Sequence, residues 1–338
     1  MKKFKKILSV ALSGAILIGF SQITAVSKSE NESVYLGGQP FGVKFYNNGV
    51  VVINLESYYD GSKYICPAKE GGLKVNDIIK KIDGKDVCTN EALQEAAINS
   101  NGETLTLTIE REGKEENKII TPKKNTAGMY LIGAWVRDSC AGIGTITYYD
   151  TDKNYFAALG HGICDNDTSL LLPLGTGEAV HANINGISKS ICGKAGSLNG
   201  YFTDSTIGYL IKNTEIGVYG TISDNFSNDN RKIEIADNHD IKTGNAKLYT
   251  TIEGEEPEYY SIEIKKIVSL NNESNENFVI KITDEKLIDN CGGILQGMSG
   301  SPIIQNNKLV GAVTHVFLNN PSEGYGVTAQ NMVANYGE

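Results

Sequence analysis

The sequence predicts a mainly β protein of two domains, on three observations. The chain has 338 residues, more than one hydrophobic core usually serves. Glycine is frequent at 37 residues and proline scarce at 7, which suits many tight turns between strands. Apolar residues recur mostly at the two-residue period of strands, in short runs broken by glycine, asparagine and aspartate. Hydrophobic residues make up 40% and charged residues 21%, which excludes a disordered chain. The net charge of -9, with no long basic run after the first residues, argues against a nucleic-acid partner, because phosphate binding needs concentrated Lys and Arg.

Residues 1–27 read as an export signal or a membrane anchor. "MKKFKK" supplies four lysines, and residues 7–20 form an uncharged, mostly apolar run. That run is about fourteen residues, short of the about 20 that a helix needs to span a bilayer. Ala25-Val26-Ser27 offers a small-x-small cleavage site. Residues 28–34, "SKSENES", form a polar linker.

From Tyr35 the pattern turns to short strands, "FGVKFY" and "GVVVINLE". "PAKEGGLKVNDIIKKIDGKDV" begins as a short helix ended by glycine and continues as a strand up to the hairpin dipeptide Asp83-Gly84. "TNEALQEAAINS" is a helix with Thr89 or Asn90 as its cap. "GETLTLTIEREGKEENKIITP" reads as two strands joined at Glu112-Gly113. This order, over residues 35–122, resembles a PDZ domain of the bacterial protease type. Asn76 stands where that family has glycine, which Asn tolerates because it enters the left-handed region readily. The resemblance implies a peptide or protein tail as partner. It would add as a strand to a sheet edge at Gly37, Gly38, Phe41, Gly42 and Val43 of "GGQPFGVKF".

Residues 123–128 are the expected interdomain linker, and residues 129–338 the second domain. Here "GIGTITYYD", "STIGYLI", "YYSIEIKKIVSL", "NFVIKITD" and "SPIIQNNKLVGAVTHVF" recur at intervals of about 8–12 residues, as in an all-β barrel or sandwich. Six cysteines (Cys66, Cys88, Cys140, Cys164, Cys192 and Cys291) would permit disulfides in an exported chain. None has C-x-x-C spacing and the chain is large enough to need no staples, so free, buried thiols are expected. No Cys/His group has zinc spacing and no calcium loop is present, so neither metal nor cofactor is expected.

"GMSGSP", residues 297–302, is the stretch that suggests chemistry. Its glycines allow a sharp turn in which the amides of Gly297 and Ser299 face one point, as an oxyanion hole requires. It resembles the G-x-S-G-[GS]-P loop of chymotrypsin-like serine peptidases, which implies Ser299 rather than Ser301 as nucleophile. A serine needs a base. His161, in "AALGHGI", follows an apolar strand between two glycines, upstream of the serine in the His-then-Ser order of that fold. His181 and His239 lie in polar stretches and read as surface residues. His315, sixteen residues after the serine in "VGAVTHVF", is a candidate wall of the substrate pocket. Asp204 and Asp284 both remain open as the group that orients the imidazole. Asp165 and Asp167 are disfavoured by their closeness to His161.

Taken together, "GGQPFGVK", "RDSCAGIGTITYYD", "ALGHGICDNDT", "VIKITDEKL", "GGILQGMSGSPIIQNNKLVGAVTHVF" and "GYGV" resemble the SpoIVB peptidase family of spore-forming Firmicutes. The resemblance runs from about Tyr35 to the end. It implies a PDZ domain followed by a chymotrypsin-like double β-barrel, with His161 as base, Ser299 as nucleophile and Asp284 as third member. It also implies an exported endopeptidase, self-cleaving, that acts between forespore and mother-cell membranes. Its target would be a regulatory membrane-associated protein, whose cleavage triggers a late sigma factor. The alternative is a PDZ scaffold whose barrel no longer cuts. Little sequence lies between the signal segment and the PDZ region, a departure that bears on tethering and self-cleavage.

Overall fold

The computed structural model describes residues 32–223, 231–270 and 272–337. The expected export signal lies outside these residues. Among them no helix is long and apolar enough to cross a membrane. In chain order the first elements are β1 (Ser33–Leu36), β2 (Pro40–Leu55), α1 (Pro67–Glu70), β3 (Ile78–Ile82), α2 (Asn90–Asn99), β4 (Leu105–Arg111) and β5 (Lys114–Ile120). Then come β6 (Ala134–Asp150), β7 (Tyr155–Ala158), β8 (Leu174–Ser188), β9 (Gly196–Thr214), β10 (Gly217–Ile222) and β11 (Lys232–Ile235). The chain continues with β12 (Gly244–Thr250), β13 (Glu258–Ile267), β14 (Phe278–Ile282), α3 (Glu285–Cys291), β15 (Pro302–Gln305), β16 (Lys308–Val316), β17 (Glu323–Thr328) and α4 (Ala329–Gly337).

Two closed antiparallel rings of six strands emerge from the pairing. The first runs β2, β6, β7, β10, β9, β8 and back to β2. Phe41, Phe45, Ile146, Phe156, Ile207 and Val218 belong to its core. The second runs β12, β13, β14, β17, β16, β15 and back to β12. Leu248, Ile262, Phe278, Ile280, Ile303 and Val313 belong to its core. Closure leaves neither sheet an unpaired edge strand. A third cluster, including Leu36, Tyr148, Tyr219, Ile304, Leu309 and Met332, draws on both barrels, β1 and α4. The expected mainly β architecture with a double barrel is therefore present.

The PDZ region is built as its sequence predicts. Val50 and Val51 of β2 pair with β3, β3 with β4, and β4 with β5. Thr89 caps α2 by accepting the Ala92 N–H at 3.2 Å. Asp83-Gly84 and Glu112-Gly113 all take positive φ, as two-residue hairpin loops demand. Asn76 sits at φ 74, the conformation expected of it. Buried Asp77 receives two guanidinium bonds from Arg111, at 2.6 and 2.7 Å, and this pair ties the α1–β3 turn to β4.

One expectation is corrected. Residues 37–45 do not form the peptide-receiving edge of the PDZ region. From Phe41 to Tyr46, β2 has β6 on one side and β8 on the other. Gly37 and Gly38 donate their N–H groups to Thr147 and Ile146, while Phe41, Gly42 and Val43 are buried in the barrel wall. The cause is closure: the first ring has no sixth strand without this half of β2. Its bulky Phe41 and Phe45 go to the barrel core. The PDZ boundary expected at Tyr35 therefore falls inside β-barrel structure. At Asn47-Asn48-Gly49, β2 exchanges β8 for β3 as its neighbour. Gly49 has φ +117, and a Cβ there would lie 2.7 Å from the Ile79 carbonyl oxygen, so the exchange needs glycine. The expected linker is also partly structured, since Lys123–Lys124 pairs with Tyr130–Leu131.

Candidate active site

His161 comes from the first barrel. β7 ends at Ala158, and the chain turns through Leu159 and Gly160, both at φ +68. The Leu159 N–H donates to the Thr145 carbonyl on β6 at 3.2 Å. The imidazole Nδ1 lies 2.8 Å from the Gly162 carbonyl oxygen. A carbonyl only accepts, so Nδ1 carries the hydrogen and Nε2 is left with a lone pair, the tautomer a general base needs. Burial, then the neighbouring His315, pull this imidazole down to about 4. It is therefore neutral at pH 7. The two rings lie 4.8 Å apart at 34°.

The loop after His161 is braced. Asn213 accepts the Ile163 N–H and donates to the carbonyls of Ile163 and Leu172. Buried Asp165 pairs with Arg137 of β6 and accepts the N–H groups of Asp167 and Thr168. Burial opposes ionisation of Asp165, but these hydrogen bonds and Arg137 hold its pKa below the ordinary value. Asp165 and Asp167 thus support the loop rather than the imidazole.

Ser299 comes from the second barrel, on the loop between Leu295–Gln296 and β15. Gly297 and Gly300 take φ +101 and +93. The loop's other polar groups are engaged: Met298 N–H to Leu295, Gly300 N–H to Val313, and Ser301 N–H to Met298. Among the described residues the N–H groups of Gly297 and Ser299 have no such acceptor. These are the two amides expected to hold an oxyanion. The Ser299 hydroxyl donates to the Thr314 carbonyl on β16 at 2.8 Å. Ser301 is fully buried and bonds to the Thr250 hydroxyl at 2.7 Å, which gives it a packing role.

His161, Gly297, Ser299 and His315 line one cavity of about 560 Å³, with Cys140 and Ile143 of β6 on another wall. His315 is where its sequence position suggests, on the pocket wall. Its ring contact with His161 is not legible in a one-dimensional spacing. Burial raises the pKa of Cys140 and Cys164, so neither is primed as a thiolate. Among the described cysteines Cys66 and Cys291 are buried and none is in a disulfide. Among the described residues no group of three or more His, Cys, Asp or Glu could hold a metal ion.

The expected third member is not beside the imidazole. Asp284 is the N-cap of α3, with its carboxylate accepting the Leu287 N–H at 3.2 Å and the Ser261 N–H at 3.1 Å. Asp204 is exposed on β9. Neither lines the cavity. Beyond burial, what acts on His161 is His315 and the Gly162 carbonyl, with no carboxylate among its described neighbours. A strand-end aspartate followed by Glu285-Lys286-Leu287 is also a helix start, and here capping takes its acceptors.

The model of the SpoIVB peptidase S55 family matches residues 128–333, and a PDZ domain model matches residues 14–120. Comparison with curated proteins found no match. Among solved structures, the PDZ domain of an SdrC-like protein from Listeria monocytogenes is 23% identical. That alignment covers 26% of this chain and 87% of the other, with a TM-score of 0.22. The Rv3671c protease from M. tuberculosis is 11% identical in its inactive form, over 58% of this chain and 83% of the other, with a TM-score of 0.32. The active form is 13% identical, over 58% and 72%, with a TM-score of 0.33.

Two predictions follow from the base and the cap. An N-cap tolerates Asn nearly as well as Asp, whereas a triad aspartate replaced by Asn costs about 10⁴-fold. Asp284→Asn should therefore keep kcat/KM within about tenfold, and Asp284→Ala should lower stability by about 1 kcal/mol. A ten-thousandfold loss in Asp284→Asn with an unchanged melting temperature would restore the carboxylate to the base. Second, an imidazole held near 4 stays neutral in weakly acidic solution, so the acidic limb of kcat/KM should lie below 6.5. His315→Ala removes a repulsive neighbour and admits water. Both changes favour the imidazolium and should move the limb upward. A limb at 6.5 in the parent, unmoved in the variant, contradicts this.

Proposed function

The chain belongs to the SpoIVB peptidase S55 family, and from that premise we propose that it is a serine peptidase working through Ser299, His161 and the amides of Gly297 and Ser299. One observation carries the assignment: a histidine from one barrel and a serine from the other line a single cavity beside two free amides. In this reading Ser299 turns from the Thr314 carbonyl, and its oxygen attacks the substrate carbonyl while Nε2 of His161 takes the proton. The carbonyl oxygen gains charge against the two amides. His161 then passes the proton to the departing amine, and water releases the acyl group by the reverse sequence. The Gly162 carbonyl orients the imidazole throughout.

The finer role extends the same reading. We take the enzyme to be exported by residues 1–27 and to cleave itself and a membrane-associated regulatory protein during sporulation, between the forespore and mother-cell membranes. Family membership and the lysine-then-apolar N-terminus support this. Trapping with Ser299→Ala during sporulation, followed by mass spectrometry, tests it. A catalytically silent scaffold is favoured by one observation, the hold of the Thr314 carbonyl on the Ser299 hydroxyl.

The PDZ region supports a peptide or protein partner. With residues 37–45 built into the barrel, we place its groove between α2 and residues 134–136 of β6. There a cavity of about 700 Å³ is lined by Leu93, Gln94, Ala97, Trp135 and Val136. Residues 134–136 pair with β2 on one side, and among the described residues no strand pairs with the other. An extended peptide added there would meet α2, the arrangement of strand addition.

Ser299→Ala should lose about 10⁴–10⁶-fold in proteolysis and all labelling by a fluorophosphonate, while Ser301→Ala keeps its labelling and loses only stability. Labelling of Ser299→Ala, or none in the parent, refutes the nucleophile assignment. For the groove, Trp135 is the chain's single tryptophan and 58% exposed. A bound peptide should shift its emission to the blue. The same peptide should slow cleavage of a protein target more than of a short peptide. Competition with no change in emission would move the groove elsewhere.

A further inference from the structure

Thr145 of β6 uses all its polar groups on the two segments that carry the serine and the histidine. Its hydroxyl donates to the Gly297 carbonyl at 2.8 Å. Its N–H donates to the Ser299 carbonyl at 3.0 Å, and its carbonyl accepts the Leu159 N–H at 3.2 Å, two residues before His161. It is 1% exposed. Gly300 lies against this junction so closely that a Cβ there would fall 2.0 Å from the Thr145 oxygen and 2.5 Å from the Leu159 nitrogen. No water layer separates the loop from β6.

We propose that Thr145 is a positioning residue for the oxyanion hole, and that its hydroxyl keeps the Gly297 and Ser299 amides aimed at the cavity. This rests on the assignment of Ser299 and those amides given above. Within a peptide unit the C=O and N–H point opposite ways. The Met298 carbonyl accepts from Ser301, which sends the Ser299 N–H the other way. The Gly297 carbonyl and the Met298 N–H form the peptide unit between the Gly297 and Ser299 amides; the Thr145 hydroxyl holds its oxygen and the Leu295 carbonyl its N–H, while Gly297, at φ +101 without a side chain, adds little restraint of its own. Losing the hydroxyl leaves that unit pinned only through the Met298 N–H, so it can swing about that bond, and the flanking Gly297 and Ser299 amides, joined to it at the Gly297 and Met298 Cα atoms, lose their aim. The two backbone bonds of Thr145 are independent of its side chain, so a substitution isolates the hydroxyl.

The test compares Thr145→Val, which keeps the shape and loses the hydroxyl, with Thr145→Ser, which keeps it. In Thr145→Val, kcat should fall about 10–100-fold with KM within about twofold, because the amides act on charge that develops in the transition state. Affinity for a peptide boronate, whose tetrahedral adduct uses the same amides, should fall by the same factor. Thr145→Ser should recover both to within a few-fold. Equal kcat and boronate affinity in Thr145→Val and parent, or a loss confined to KM, overturns the proposal. So does a failure of Thr145→Ser to recover activity while melting like the parent. Should Thr145→Val not fold, Thr145→Ala against Thr145→Ser differs by the hydroxyl alone and decides the same point. Fluorophosphonate labelling of the parent separates the two failures. No label at Ser299 removes the nucleophile and the clamp together, whereas a labelled parent with an unaffected Thr145→Val removes only the clamp.

Discussion

The ladder between β2 and β6 is the constraint on which the rest of the molecule depends. It runs from Pro40 opposite Thr145 to Leu55 opposite Ala134. One end of the ribbon is part of the first barrel and the other is part of the PDZ region. The two regions are thus not joined by a free linker, and each borrows a strand from what the sequence assigns to the other. Breaking this ladder would open the barrel, strip the PDZ sheet of a neighbour and release Thr145 from the serine loop. Backbone pairing of this length is cooperative, since every buried N–H and C=O left unpaired costs about 1–3 kcal/mol.

The geometry of the candidate site is held by backbone polar groups more than by side-chain charge. The Gly297 and Ser299 carbonyls both end on Thr145, the Gly300 carbonyl on the buried Thr147 hydroxyl at 2.8 Å, and the Gly300 N–H on Val313 of β16. The loop is therefore strung between β6 of one barrel and β16 of the other. A glycine at position 300 is forced twice, by φ +93 and by the 2.0 Å approach to Thr145. Ionic support enters one layer further out, where Arg137 and Asp165 fix the loop that follows His161.

Much of this was legible in the sequence, and the failures have physical causes. Local signals were sound: the Thr89 cap, the Asp83-Gly84 and Glu112-Gly113 hairpins and the left-handed Asn76 all depend on neighbours in the chain. The serine loop and the turn bearing His161 were legible because glycine spacing reports backbone conformation directly. Long-range pairing was not. Nothing in "GGQPFGVKF" distinguishes a strand that closes a barrel from one that receives a peptide, since both alternate and both bury alternate faces. Asp284 misled for a related reason. An aspartate at a strand end serves equally as a helix cap or as a partner of histidine, and only the fold says which donors it meets. Thr145 was hidden in a strand where threonine is ordinary, because its hydroxyl partner lies 152 residues away.

In the proposed mechanism the base and the oxyanion hole carry unequal shares of the work. An imidazole whose pKa is pulled to about 4 is neutral when needed but weakly basic, and general-base efficiency rises with basicity. Among the described residues no carboxylate stands behind it to stabilise the imidazolium; the Gly162 carbonyl orients the ring and offers only a dipole. The negative charge that develops on the substrate oxygen must then supply much of the stabilisation of the protonated base, and it does so only if that charge is held in place. The weaker the base, the more the barrier depends on where the Gly297 and Ser299 amides point. That shifts the burden of catalysis from His161 to the backbone of the serine loop, and through it to the strand against which that loop is fastened.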